Sequence, residues 1–239
     1  MAEVENSHFW FVGREKICLS LINSIMHNSP GRILDYGCGT GRLLQRLQEI
    51  YKKNEIYGAD ISDKALDYCQ RRGTSNVFNL KKVAPWANYF DLVICLDVLE
   101  HVRNDVDLLI RIRQLLRNGG RLLITVPAYE FLWSGEDYVS KHIRRYTRRM
   151  LRRKLAQAGF RTSKISYFNT FLFLPLVFVL LSKRIFRPTT MYTSDIQDIN
   201  SFGNKVLAKI FASEEWFLKY VSFPFGASIV ALAVLSEEE

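Results

Sequence analysis

An open, mostly parallel α/β sheet with helices on both faces is the fold class this sequence predicts. Two observations lead there. Short apolar strands and helical segments alternate five times between residues 31 and 128, with few residues between them, and that rhythm builds parallel sheets through crossover helices. The strongest strand candidate, Phe90–Val98, carries Leu92, Val93, Ile94, Cys95 and Leu96 in an unbroken apolar run, as strands covered on both faces do. The chain has 239 residues, enough for a single domain with a sizeable core. Its 48% hydrophobic and 24% charged residues exclude wholesale disorder.

The elements follow in order. Residues 14–27 form an amphipathic helix with Ile17, Leu21 and Ile25 on one stripe, ended by Ser29-Pro30-Gly31. Residues 1–30 are thus an aromatic arm and a helix. Arg32–Tyr36 is a short buried strand that runs into glycines, and 41–53 is helical through Leu43, Leu44 and Leu47. Glu55–Ile61 is a second strand. Ser62 caps a helix over 63–72 that stops at Gly73. Asn76–Leu80 is a weak third strand and Phe90–Val98 the fourth. Asp105–Leu116 is a helix closed by Asn118-Gly119-Gly120, and Arg121–Pro127 is the fifth strand.

Beyond residue 128 the rhythm changes. Residues 129–146 are a polar and aromatic loop, 147–158 a very basic helix closed by Gly159, and Arg161–Phe168 a sixth strand. Residues 170–222 form a largely helical insertion or lid, and Phe225–Leu235 returns as the last strand.

In open parallel sheets ligands bind beyond the carboxyl ends of the strands, so the residues there carry the functional reading. After the first strand stands Asp35-Tyr36-Gly37-Cys38-Gly39-Thr40-Gly41. Alternating glycines let a ligand approach backbone N–H groups without a Cβ in the way. The third glycine arrives one residue earlier than in the GxGxxG dinucleotide fingerprint, and no GK[ST] follows, so a triphosphate P-loop is excluded. After the second strand Asp60 lies 19 residues beyond Gly41, where a carboxylate can accept both hydroxyls of a ribose. The fourth strand ends in Leu96-Asp97-Val98-Leu99-Glu100-His101.

Together these motifs resemble the class I S-adenosylmethionine-dependent methyltransferases of the type 11/12 group, over residues 31–128. The resemblance implies a Rossmann-like seven-stranded sheet with the last strand antiparallel, and S-adenosylmethionine as cofactor. It implies that Gly37, Cys38, Gly39 and Gly41 lie against the methionine part, with Asp35 ordering the loop. Asp60, followed by Ile61, would hold the ribose, and Asp97, Val98 and Leu99 would border the sulfonium. The family's acidic contact to adenine is missing after the third strand, where Asn79 and Leu80 stand instead. The segment His8-Phe9-Trp10-Phe11 with Arg14 looks like an aromatic entry arm. Trp10 is then either a cover for the cofactor or a packing residue, and Arg14 a partner for the cofactor's carboxylate.

Methyl transfer from a sulfonium is an in-line displacement that needs alignment and exclusion of water. An oxygen nucleophile also gains from a base. In the 129–146 loop His142 has the right chemistry, since imidazole titrates near about 6.5. Asp137 and Tyr146 are its expected supports. Arg145 is the expected anion contact, and His101, Tyr129 and Trp133 complete the acceptor side. The reaction expected is O-methylation of a small-molecule or lipid- or glycan-linked acceptor.

The net charge of +9 favours an anionic partner. Eight Lys or Arg residues lie between Lys141 and Lys154, with Arg145, Arg148, Arg149 and Arg152 on one helical face. Residues 171–181 are all apolar and followed by Lys183, Arg184 and Arg187. That stretch is too short to span a bilayer and reads as a buried helix or as an interfacial segment. Membrane-surface contact through 141–154 and 171–187 would suit a lipid-linked anionic acceptor. A nucleic-acid methyltransferase is the first alternative, but no Asn/Asp-Pro-Pro-aromatic motif follows the fourth strand and no RNA-binding module is recognisable. A non-catalytic cofactor-binding scaffold and a nicotinamide oxidoreductase are the others. Four scattered cysteines form no CxxC pair, which points to free thiols and no metal site. With no secretory signal visible at the start, the expected place is cytoplasmic, at the inner face of the membrane if lipid is involved.

Overall fold

The computed structural model describes residues 5–26, 30–81, 86–186 and 200–236. Ser29 of the expected turn, Lys82, Arg187 and the stretch 187–199 of the expected insertion lie outside the described residues.

Seven strands form one sheet: β1 (Arg32–Tyr36), β2 (Glu55–Asp60), β3 (Val77–Asn79), β4 (Phe90–Leu96), β5 (Leu116–Pro127), β6 (Phe160–Phe168) and β7 (Ser228–Leu235). Their spatial order is β3-β2-β1-β4-β5-β7-β6. β1 pairs in parallel with β2 and β4, β2 with β3, and β4 with β5. β7 runs antiparallel to both of its neighbours, β5 and β6. The expected Rossmann-like sheet with its last strand antiparallel is what the chain forms. The strand order reverses between β1 and β4, so the ends of these two strands flank the crevice in which open sheets bind ligands.

Two apolar layers hold the sheet. On one face Phe90, Val93 and Ile124 pack with Leu109 and Ile112 of α4 (Asp105–Leu115) and with Leu151 and Leu155 of α6 (Arg148–Gln157). On the other, Ile33, Leu92 and Ile94 pack with α1 (Phe9–Met26), α2 (Arg42–Ile50), α3 (Asp63–Arg71) and Phe211 of α8 (Ser201–Leu218). This two-sided burial is why β4 shows no alternation. A short α5 (Gly135–Ser140) sits in the loop after β5, and α7 (Phe173–Phe186) follows β6.

Some boundaries move. α1 begins at Phe9, so the aromatic arm is itself the first turns of the helix. β5 begins at Leu116 because Leu116 pairs with Phe90 ahead of a register shift, which draws Asn118-Gly119-Gly120 into the strand instead of a helix stop. β7 begins at Ser228. Of α7 only Leu180 is buried, and Leu174, Phe178, Ile185 and Phe186 are each at least 70% exposed. The buried-helix reading of 171–181 therefore does not describe this segment. Among the described residues no helix is long and apolar enough to cross a membrane.

Candidate active site

The loop after β1 is held by backbone. Gly37 and Cys38 both donate N–H to the Ala59 carbonyl, at 2.7 and 3.0 Å. Gly37 has φ +84°, and a Cβ there would come 2.4 Å from Val98 Cγ2, so this glycine lets the β1 loop touch the end of β4. Gly39, at φ +53°, would meet nothing within 4 Å, so open space faces its backbone. The loop's anchoring carboxylate is Asp60, which accepts from Gly39 N–H at 2.9 Å and Ser62 N–H at 2.9 Å. Asp35, expected to order the loop, is buried at the end of β1 instead. Burial pushes its carboxyl up to about 7, with Arg14 opposing and Asp60 adding to the rise. The side chain of Cys38 is buried, 3.9 Å from Cys69 Sγ.

Beside the loop Ile61 is 61% exposed, offering an apolar surface next to Asp60. Asn79 is engaged at both ends of its amide: its NH₂ donates to Asp63 at 2.6 Å and its oxygen accepts from Lys81 N–H at 2.9 Å. Leu80 packs against the core, with its N–H on the Asp60 carbonyl.

The end of β4 is built differently. Asp97 adopts φ +52° and is fixed on three sides. Arg14 of α1 forms an ion pair with it, Thr125 Oγ1 donates to it at 2.9 Å, and its own N–H reaches the Thr125 carbonyl at 3.1 Å. Arg14 is thus committed to Asp97 rather than held ready for a cofactor carboxylate. Trp10 stacks on Phe211 and Phe168, at 5.4 and 6.4 Å between centroids, so its ring serves the α1–α8 contact. Of its two readings, packing is the one this geometry supports.

On the acceptor side one buried carboxylate organises the 129–146 loop. Asp137 accepts from His142 Nδ1–H at 2.8 Å, from Arg145 Nε and Nη2 at 2.9 and 2.8 Å, and from Ser134 N–H at 2.7 Å. These donors hold its carboxyl well below the usual range despite complete burial. Since an ionised carboxylate only accepts, Nδ1 of His142 donates a proton to it, and Nε2 is the ring nitrogen left outside this bond. His142 meets His101 edge to face, with ring centroids 4.8 Å apart.

Arg145 is clamped by Asp137 and the Ala128 carbonyl, so it is a brace rather than an anion contact. Tyr146 is fully buried, and its hydroxyl donates to Asp105 at 2.9 Å and approaches the Leu99 carbonyl at 3.3 Å. Burial and Asp105 raise its hydroxyl far above the ordinary value. Tyr146 is therefore an anchor in the core and does not face an acceptor. Asp105 also takes Arg144 and Lys154, each at 2.7 Å. Tyr129 stacks on Tyr167 at 4.9 Å, and Trp133 offers its carbonyl to Arg184 of α7 at 2.8 Å.

Four arginines of the basic stretch remain around a groove of about 840 Å³, lined by Arg148, Arg149, Arg152, Arg153 and Tyr167. Glu100 joins the site without having been marked by any motif. It is completely buried, with no hydrogen-bond partner on either carboxylate oxygen among the described residues. Burial and the nearby Asp97 push its carboxyl well up. Its only signal in the sequence is an acid directly after the apolar pair Val98-Leu99 at a strand end.

A methyltransferase-domain family model matches residues 12–165, more than half of the chain. This chain belongs to that methyltransferase domain family. An uncharacterized protein of Methanocaldococcus jannaschii is 30% identical over 204 residues, covering 85% of this chain and 83% of that protein. The ubiquinone biosynthesis O-methyltransferase of Aromatoleum aromaticum is 28% identical over 155 residues, covering 56% of this chain and 65% of that enzyme. Among solved structures, a putative methyltransferase of Bacillus halodurans superposes with a TM-score of 0.58 at 16% identity, covering 92% of this chain and 99% of that one. The methyltransferase is S-adenosylmethionine-dependent by family, and its residues fit that cofactor. The unobstructed backbone at Gly39, the Asp60 carboxylate beside it and the exposed Ile61 suit the hydroxyls and apolar base face of a nucleoside.

Proposed function

We propose that this methyltransferase transfers a methyl group from S-adenosylmethionine to a hydroxyl of an anionic, lipid- or glycan-linked acceptor. The observation that carries the reading is the Asp137–His142 pair, which ties Nδ1 to the carboxylate and presents Nε2 near the end of β4. An imidazole aligned by an ionised carboxylate is suited to take or orient a hydroxyl proton. When bound, the cofactor supplies the electrophilic methyl group. The chain's own part is to hold it with Asp60 and the glycine loop, to fix Asp97 through Arg14 and Thr125, and to align the acceptor oxygen at His142. The O-methyltransferase among the relatives supports oxygen as the nucleophile.

Two surfaces support an anionic, lipid-bearing acceptor at the inner face of a membrane. The four-arginine groove suits phosphate. The exposed apolar residues of α7, with Trp216 and Phe217 of α8, suit acyl or prenyl chains. An aromatic ladder joins the two: Tyr167 lines the groove, Tyr129 stacks on it, and Phe173 at the start of α7 lies 6.0 Å from Tyr129.

Calorimetry with S-adenosylmethionine and S-adenosylhomocysteine tests the cofactor half. Micromolar binding is expected, weakened at least tenfold in Asp60→Ala. No binding to folded wild type would overturn it. Transfer of labelled methyl to phospholipid and polyprenyl-linked extracts, lost in His142→Ala, tests the acceptor half.

A further inference from the structure

Glu100, His101 and His142 place one carboxylate oxygen and two ring nitrogens all within 4.8 Å of one another. Among the described residues this is the one such group of possible ligands. Each member has a feature that an ordinary salt link or core contact does not explain.

Glu100 is 0% exposed, and among the described residues neither of its oxygens has a hydrogen-bond partner. A buried carboxyl without partners costs free energy in general, and a bound ion is one thing that explains it. His142 has its Nδ1–H tied to Asp137, which leaves Nε2 as its free nitrogen. Asp137 is in turn locked by Arg145 and Ser134. A carboxylate behind an imidazole is the usual outer support of a metal-bound histidine, fixing ring orientation and tautomer. His101 packs its ring edge to face on His142, 4.8 Å between centroids, with a ring nitrogen inside the same cluster. His101 is also exposed, so the cluster opens to solvent on its side.

Arg14 and Arg145 form ion pairs with Asp97 and Asp137, and among the described residues Glu100 has none. We propose that Glu100, His101 and His142 form a binding site for a divalent transition-metal ion, with Zn²⁺ or a chemically similar ion as its occupant. Two imidazoles and one carboxylate favour such an ion over Mg²⁺ or Ca²⁺, which prefer all-oxygen shells. Bonds of about 2.0–2.2 Å would draw the three ligand atoms inward by side-chain rotation and leave a fourth position open.

This site is a matter of cation binding and does not rest on the methyl-transfer reading. An occupied site changes the role of His142 from proton acceptor to ligand. The open position would then lower the pKa of a bound water or acceptor hydroxyl.

The test uses the full chain stripped with chelator, titrated with Zn²⁺ by calorimetry and with Co²⁺ by visible absorption. The expected result is one ion per chain, a Co²⁺ spectrum free of the thiolate charge-transfer band, and a melting temperature that rises on adding Zn²⁺. Glu100→Gln and His142→Ala should each weaken binding at least tenfold, and Asp137→Asn by about tenfold through the imidazole. Glu100→Gln is nearly isosteric at an unpartnered site, so its metal-free form should melt at or above the wild-type temperature. That keeps loss of binding distinct from loss of fold. Absence of a 1:1 complex in wild type, or undiminished binding in both Glu100→Gln and His142→Ala, would overturn the assignment. A methyltransferase that is active and unaffected by chelator would sink the metal site and leave the O-methylation reading intact. A metal-binding chain with no methyl transfer would do the reverse.

Discussion

The two sides of the crevice are held by different means. On the β1 side the glycine loop hangs from main-chain hydrogen bonds to the Ala59 carbonyl and a single carboxylate, with open space at Gly39. On the acceptor side, buried charges do the holding. Asp137 gathers His142, Arg145 and Ser134, while Asp105 gathers Tyr146, Arg144 and Lys154. A main-chain cradle suits a ligand of constant shape. A side-chain clamp sets one histidine and leaves neighbouring positions free to vary, as an acceptor site requires. The difference also sets how each side fails. The cradle is broken by adding a Cβ, and the clamp by removing a charge.

The largest effect expected is therefore on the clamp. Asp137→Ala leaves the mostly buried Arg145 guanidinium with the Ala128 carbonyl but no carboxylate, which costs about 3 kcal/mol. Urea denaturation should show that loss, and methyl transfer should fall with it. A change under 1 kcal/mol would mean that the clamp does not hold the loop. Next comes the cradle. Gly37→Ala places a Cβ at φ +84°, 2.4 Å from Val98. About 1–2 kcal/mol of stability should be lost to the left-handed backbone. The dissociation constant for S-adenosylmethionine should rise more than tenfold by calorimetry, because Val98 must move.

The smallest effect lies outside both sides, at the fully buried Glu214 of α8, which accepts from Phe171 N–H at 2.8 Å. Burial raises its carboxyl to about 7, and the backbone donors around it oppose the rise only in part. A carboxyl raised in the folded state stabilises below its unfolded pKa and loses that contribution as the pH climbs through the folded value. Glu214→Gln should thus gain on the order of 1 kcal/mol over wild type at pH 8, with the gap closing by pH 4.5. Thermal melts across that range would show it, and a pH-independent difference would refute it.

The same contrast explains what could be read from the residues alone. Main-chain devices leave marks in sequence: the alternating glycines, the unbroken apolar run of β4 and the Ser62 cap all sit where they were expected. The Asp137–His142 pair is five residues apart and legible, whereas the Asp105 clamp joins residues 39 to 49 positions apart, and nothing local marks it. Arg145 and Tyr146 look like reactive groups because they sit next to His142 in sequence, but the fold turns one onto Asp137 and the other into the core. Arg14 meets Asp97 only because α1 crosses the end of β4. Glu100 and His101 meet His142 only once the loop after β5 has folded back, where Ile143 N–H reaches the Glu100 carbonyl at 2.9 Å. Spacing rules for metal ligands are blind to that closure. The start of β5 departs from its expected place for a related reason. Asn118-Gly119-Gly120 is a strong local stop signal, yet the pairing of Leu116 with Phe90 overrides it.

The central placement of β7 has a consequence for synthesis. Among the described residues β6 has no other neighbour in the sheet than β7, and β7 is the last strand in chain order. At a usual elongation rate of about 5–20 residues per second, the ribosome needs about 3–12 seconds to travel from the end of β6 to the start of β7. For that interval the apolar β6 residues Ile165, Tyr167 and Phe168 have made no strand partner. The nascent chain thus carries an open seam until its final strand emerges and closes it from within.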